Sequence, residues 1–250
     1  MKFFVPYFTG FGGDSLGFLL RWLEDARRVC GERIEPIALI GDNLTESRSL
    51  IENRVDFDVV PRSGSLEDGT PYGLKGALIE SLLRSVDKLG DTSEPFVVMD
   101  FDTRFEVDPV GKLREIAKTS SSALALAPDC TSVLGRKIAS PCRTFEEMNS
   151  GVMLFNRMNQ GERGLVADMY RQAWYWCRAT DRPPVMPELR EQRAWSLVFH
   201  WLRGKPLPGG MNRSYRETSG TAGRWANDPT FIRHYHGEGK ELIGKEVQHA

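Results

Sequence analysis

Hydrophobic residues in the first half of the chain come in short unbroken runs. Of four such runs, three are followed, directly or after a loop, by a segment where apolar positions recur every three or four residues. The runs KFFVPYF (2–8), EPIALIGD (35–42), DFDVVP (56–61) and FVVM (96–99) predict buried strands. The segments SLGFLLRWLEDARRV (15–29), YGLKGALIESLLRSVDKL (72–89) and VGKLREIAKT (110–119) predict amphipathic helices, the first capped by Asp14 or Ser15. ALALAP (123–128) is a further strand, and NSGVMLFN (149–156) contains another short one. LVADMYRQAWYWCRA (165–179) and ELREQRAWSLVFHWL (188–202) are helical, with Trp195, Val198, Phe199 and Leu202 at core-facing spacing. Strand–helix alternation predicts an α/β fold, a mainly parallel sheet with helices on both faces, in a single domain over 1–250. The stretch from Arg203 to Pro229 is rich in Gly, Pro, Ser and Arg without periodicity, which predicts a long loop or lid over 203–230.

Composition narrows the classes. A chain of 250 residues with 40% hydrophobic and 27% charged residues can bury a full core, which excludes wholesale disorder. A net charge of −1 argues against a nucleic-acid partner held by a general basic field. Cys30, Cys130, Cys142 and Cys177 lack CxxC spacing, so reduced thiols in a cytoplasmic protein are expected. The apolar start is broken by Pro6, Gly10 and Asp14, and no 18-residue apolar run follows. Neither an export signal nor a membrane anchor is therefore expected.

The chemistry begins where the run FVVM meets Asp100 and Asp102. In parallel α/β sheets ligands sit beyond the carboxyl ends of the strands, which is where this pair falls. Residues i and i+2 of an extended chain share a side, roughly 6.5–7 Å apart, so modest bending lets both carboxylates reach one cation. Hard oxygen ligands suit Mg²⁺ or Mn²⁺. The same residues could instead cap a following helix or pair with Arg104. A phosphoaspartyl hydrolase of the haloacid dehalogenase type also ends a strand in Asp-x-Asp. Its pattern wants Thr or Val where Arg104 stands, and places the motif near the chain start. A sugar-nucleotide-forming nucleotidyltransferase would carry an Arg- or Lys-bearing glycine loop after the first strand, which TGFGGDS (9–15) does not show.

Three further segments accompany VVMDFD (97–102) in fixed order: EEMNSGVMLFN (146–156), Glu191–Gln192 early in a helix, and FIRHYHGEGK (231–240). Together they resemble the GT-A fold glycosyltransferases, especially the retaining glycogenin and lipopolysaccharide galactosyltransferase group of family eight, over about residues 96–240. The resemblance implies a metal-dependent enzyme moving a hexose from a nucleotide-diphosphate sugar, a UDP-sugar, to an acceptor hydroxyl with retained configuration. The acceptor is a glycan, a small molecule or a protein.

The resemblance also assigns residues. Asp100, Asp102 and His234 would hold Mn²⁺ or Mg²⁺. His236 lies two residues on, so the choice between the histidines rests on the resemblance. Phe101 belongs to the donor side. Gly237 would admit the diphosphate close to the backbone, and Lys240 would place a charge on its oxygens. Asn149, Ser150 and Gly151 would meet the donor sugar, although a turn entering a strand would use the same residues. Gln192 and Glu191 would lie at the reacting face, with Glu191 in place of the family's Asp; acids also suit a helix's first turn. Tyr7, Phe8 and Thr9 at the first strand end, Asp42 at the second, and Lys75 would reach the nucleotide or donor, where each otherwise reads as solvated surface. Trp174, Tyr175 and Trp176 read either as core or as an acceptor surface. The family's Pro-Trp after the last lysine is replaced by Glu241 and Leu242.

Overall fold

The computed structural model describes residues 1–9, 14–61, 70–128, 137–139, 144–180, 188–214 and 229–235. Strand β1 (Lys2–Pro6) places Phe3, Phe4 and Val5 fully out of solvent, as a strand covered on both faces requires. Helix α1 (Ser15–Cys30) starts where the Asp14 carboxylate accepts from Gly17 N at 2.8 Å, and ends at Gly31 with φ +56°. Strand β2 (Glu35–Ile40) leads into α2 (Leu44–Glu52), capped by Asn43. Strand β3 (Phe57–Val59) follows.

Helix α3 (Pro71–Arg84) is capped by Thr70 with Pro in its first turn, and it stops short of the single helix predicted to residue 89. Ser85 is extended (φ −78°, ψ 116°), and a separate turn α4 (Val86–Leu89) follows. The cause lies far away in sequence. The fully buried Arg163 donates to Leu83 O at 3.2 Å, a carbonyl that a continuous helix would use itself, and also to Gly90 O at 2.5 Å and Met158 O at 3.3 Å.

Next come β4 (Thr92–Ser93), β5 (Phe96–Met99), β6 (Thr103–Phe105), α5 (Val110–Thr119) and β7 (Leu124–Pro128). Beyond them lie β8 (Lys137–Ala139), β9 (Thr144–Glu146), β10 (Met148–Phe155), β11 (Met158–Asn159), α6 (Gln160–Thr180) and α7 (Glu188–Trp201). The chain then gives β12 (Lys205–Pro206), a 3₁₀ turn (Gly209–Asn212), β13 (Arg213–Ser214) and β14 (Ile232–His234).

The main sheet runs β12-β7-β10-β5-β1-β2-β3. Neighbours pair in parallel except β10, which lies antiparallel between β5 and β7. Helices α3, α6 and α7 pack together, with Tyr170 stacked on Trp195 at 4.2 Å and Trp195 against Phe155 of β10. A Cβ on Gly76 would sit 2.0 Å from the Tyr170 hydroxyl, so glycine there sets how closely α3 approaches α6. Trp174 is fully buried, whereas Tyr175 is exposed.

Part of the predicted long loop is structured. Leu207 N donates to Leu126 O at 2.8 Å as β12 adds to the sheet edge, and β13 joins β14 and β6 in a three-stranded sheet. Residues 215–228, where a lid would lie, are outside the described residues. Among the described residues no helix is long and apolar enough to cross a membrane.

Candidate metal and donor site

Strand β5 ends at Met99, and the chain turns at once, with Thr103 N and Oγ1 both donating to Asp100 O at 3.2 and 2.6 Å. The Thr103 hydroxyl is itself held by Trp22 Nε1 at 3.1 Å. This turn, rather than an extended strand end, brings Asp100 and Asp102 to one place. Strand β14 delivers His234 to them, because Tyr235 N bonds Asp102 O at 2.9 Å. His234 Nε2 lies 3.2 Å from Asp102 Oδ1 and 3.7 Å from Asp100 Oδ2. One ligand atom from each residue falls within 4.8 Å of the others. Two carboxylates and an imidazole form a donor set suited to Mn²⁺ or Mg²⁺, and the turn and strand bring them together.

A second group backs the first. Lys75 Nζ, from the middle of α3, lies 2.8 Å from Asp100 Oδ1 and 3.4 Å from either oxygen of Glu191. It also donates to Ser150 O at 3.2 Å, while Ser150 Oγ donates to Glu191 Oε2 at 2.7 Å. Lys75 and Glu191 are both buried. Burial alone would lower the Lys75 pKa, but Asp100 and Glu191 outweigh it and the net shift is upward. Burial raises the Glu191 carboxyl, with Lys75 opposing. For His234 burial acts downward, and the charge and hydrogen bond of Asp102 carry the balance upward. Lys75 therefore stays an ammonium shared by two carboxylates, and Asp100 turns its other oxygen toward His234.

Strand β10 supplies the floor. Asn149 pairs with Ala127 and Met153 with Leu126, so residues 150–152 bulge between successive β7 partners. The bulge carries Ser150 to Lys75, while Gly151 O accepts from Asp100 N at 3.0 Å. Asn149 to Gly151 thus lie inside a strand, not in a turn entering one. A Cβ on Gly151 would fall 2.5 Å from His234 Cε1 and 2.6 Å from Nδ1, so only glycine lets the imidazole sit there. Asn149 Oδ1 accepts from Gly151 N at 2.7 Å and from the Asn212 amide.

By structure the chain is similar to the galactosyltransferase LgtC, crystallised with donor and acceptor sugar analogues. The TM-score is 0.67 at 12% identity, over 100% of this chain and 96% of that one. Mouse xyloside xylosyltransferase 1 aligns with TM-score 0.60 at 10% identity, over 94% and 98% of the two chains. The glycosyltransferase GlyE of Streptococcus pneumoniae TIGR4 gives 0.58 at 15%, over 97% of this chain and 59% of that one. This chain has the GT-A fold. No family model and no curated protein matches it by sequence, so the likeness resides in the fold.

Within the GT-A fold the expected residues divide. Asp100, Asp102, His234, Lys75, Ser150, Gly151 and Glu191 meet around one cluster, and Lys75 is buried rather than solvated surface. Gln192 Nε2 donates to the buried Glu147 Oε1 at 3.1 Å, one helix position from the cluster. The rings of Phe8 and Phe101 pack edge to face at 6.0 Å, and Phe18 stacks on Phe101 at 6.3 Å. Tyr7 is buried and bonds Ser49, while Thr9 N and Oγ1 donate to the buried Glu46 Oε1 at 2.8 and 3.3 Å. Asp42 is exposed just past β2. Gly237, Lys240 and the rival His236 lie outside the described residues.

Glu46, Glu147 and Asn212 carry no local signal that marks them as site residues. Glu46 sits on a helix whose apolar spacing is too sparse to read. Glu147 stood unassigned inside a recognised segment, and Asn212 inside the presumed loop. Asn212 is 1% exposed, touches Asn149, and keeps a buried Oδ1 with no hydrogen-bond partner among the described residues.

Proposed function

We propose that this chain is a divalent-metal-dependent hexosyltransferase. It transfers a hexose from a nucleotide-diphosphate sugar, a UDP-sugar, to an acceptor hydroxyl with retention of configuration. One observation carries this reading: Asp100, Asp102 and His234, from distant segments, offer ligand atoms within 4.8 Å of one another at the carboxyl edge of a GT-A sheet. Mn²⁺ or Mg²⁺ bound there would neutralise charge on the departing diphosphate.

The chain's own residues do the rest. Lys75 holds Asp100 in place through their ion pair, and Glu191 fixes Lys75 and Ser150. Asn149 and Ser150 meet sugar hydroxyls, and Gly237 and Lys240 receive the diphosphate. The acceptor oxygen attacks the anomeric carbon from the leaving-group side as the bond to the diphosphate breaks, and a diphosphate oxygen takes the acceptor proton. The Gln192 amide, fixed by Glu147, lays the negative end of its dipole beside the carbon as positive charge develops. Cys30 is a buried thiol outside any disulfide, which fits the proposed location in the cytoplasm.

The donor site is tested by thermal shift with nucleotides and nucleotide sugars, with and without Mn²⁺. UDP and UDP-sugars are expected to raise the melting midpoint in a Mn²⁺-dependent way, and Asp102→Asn or His234→Ala should abolish the rise. Absence of a rise with every nucleotide would remove this function.

A second outcome follows from His234. Its folded pKa lies above 6.5, so in metal-free protein its stabilisation is complete below 6.5 and is lost as pH rises through the folded value. Metal ligation needs the neutral ring, so Mn²⁺ affinity should rise with pH across that window and then level off. Calorimetry in two buffers of different ionisation enthalpy should find about one proton released per Mn²⁺ near the lower end. No release in wild type, or release unchanged in His234→Ala, would show that the imidazole is not a ligand.

A further inference from the structure

Asn212 belongs to no motif, and a buried amide is a costly choice for a residue that only supports the fold. It ends the 3₁₀ turn Gly209–Asn212, whose residues are all buried. The turn is clamped from both sides. Met211 N donates to Pro208 O at 2.9 Å, Phe231 N donates to Gly210 O at 2.8 Å, and a Cβ on Gly210 would collide with Pro229 O. This placement sets the Asn212 amide against Asn149 of β10, beside the bulge that holds Ser150 and Gly151.

The contacts fix which way both amides point. A backbone N–H can only donate, so the oxygen of Asn149 must face Gly151 N, at 2.7 Å. The same oxygen accepts from Asn212, which must therefore offer its NH₂ group and turn its own oxygen away. That oxygen, Asn212 Oδ1, is buried with no partner among the described residues, which works against folding. With an apolar residue at 212, Asn149 Oδ1 would still be satisfied by Gly151 N. Stability therefore does not call for the second amide. What it adds is a lock, because a flipped Asn149 would turn its NH₂ group on two donors at once.

We infer that Asn212 is a positioning residue for the donor sugar: it locks Asn149 so that Nδ2 donates to a hydroxyl oxygen of the hexose. This rests on the hexosyltransferase reading, which puts Asn149 beside that sugar. Asn149 Nδ2 makes no hydrogen bond among the described residues, and Asn149 keeps 6% exposure. Asn212 does not touch the sugar, since its free oxygen is sealed from solvent, and it acts through Asn149. Fixing one amide orientation in advance removes an ordering cost from sugar binding. It also sets the direction of the hydrogen bond, so the hydroxyl keeps its proton for another partner.

The test is calorimetry on protein holding Mn²⁺, with UDP, UDP-glucose and UDP-galactose as probes. The readout is the ratio of UDP-sugar affinity to UDP affinity, for whichever sugar wild type binds more tightly. Asn212→Leu removes the lock and should shift the ratio against the UDP-sugar about three- to tenfold, with UDP and Mn²⁺ affinities held within about twofold. Asn212→Asp puts an acceptor where Asn149 needs a donor, and should shift it at least as far. In an Asn149→Ala background, Asn212→Leu should shift the ratio no further, because its route is gone. The ligand-free melting midpoint of Asn212→Leu should stay within about 4 °C of wild type.

A ratio that neither variant moves, or an equal loss of UDP and UDP-sugar, makes Asn212 a structural residue and overturns the inference. The hexosyltransferase reading stands in both cases, because UDP binding to wild type is intact. A further shift in the Asn149→Ala background overturns the route through Asn149. If neither UDP nor a UDP-sugar binds wild type in Mn²⁺, the hexosyltransferase reading fails and the inference falls with it. Should Asn212→Asp fail to fold, Asn212→Leu carries the comparison.

Discussion

Lys75→Met is expected to destabilise the folded protein by about 3–5 kcal/mol, among the largest effects of any single side chain here. Lys75 Nζ stands 2.8 Å from Asp100 and 3.4 Å from Glu191, and Glu191 is only 2% exposed. Methionine keeps most of the apolar stem and removes the charge, leaving two carboxylates in a desolvated site without their shared cation. Urea unfolding should show a lower midpoint with an unchanged slope, since the surface exposed on unfolding is the same.

Lys75→Met/Glu191→Gln should recover part of the loss, because one of the stranded charges is then gone and the amide can still accept from Ser150. Mn²⁺ should recover a further part if a cation binds Asp100. A loss below about 1 kcal/mol, in the range of an exposed ion pair, would mean that Lys75 is not the countercharge these carboxylates depend on.

Legibility in the sequence followed the range of the interactions involved. Strands β1, β2 and β5 were readable because burial on both faces demands unbroken apolar runs, and α5 because its single buried stripe repeats every three to four residues. Helix α2 escaped notice because few apolar residues mark it and its start depends on one capping asparagine. The break at Ser85 could not be read locally, since the guanidinium that takes the α3 carbonyl of Leu83 belongs to Arg163. Two-residue strands such as β12 and β13 have no period to detect, so a structured segment looked like a loop.

The site divides in the same way. Asp100 and Asp102 stood out because acids ending a buried run are costly without a partner. His234 was found through a family pattern alone. The bond from Lys75 to Glu191 joins two elements with no sequence relation, and Gly151 looked like any glycine beside a strand until the imidazole was placed against it.

That glycine makes the second strong prediction. In Gly151→Ala the new methyl would stand 2.5 Å from His234 Cε1, 2.6 Å from Nδ1 and 3.1 Å from Asn149 Oδ1. Strand β10 has little room to retreat, because beside Gly151 it is tied to β5 and to Asp100 N, and on either side of the bulge to β7. The short strand β14 is the weaker partner, so the imidazole must leave its place beside Asp102. Overpacking of this kind costs about 1–3 kcal/mol of stability. The larger effect falls on the cluster, where displacing one ligand should lower Mn²⁺ affinity about 10–100-fold.

Gly164→Ala is the matched control. Its Cβ meets nothing within 4 Å, and it lies within α6, where alanine is the better helix former by roughly 1 kcal/mol. It should leave Mn²⁺ affinity unchanged and stability equal or higher. Mn²⁺ titration followed by electron paramagnetic resonance reads affinity directly, without assuming a donor or an acceptor. If Gly151→Ala binds Mn²⁺ as tightly as the control, the imidazole pressed against β10 is not a ligand, and the cation would rest on the two carboxylates alone.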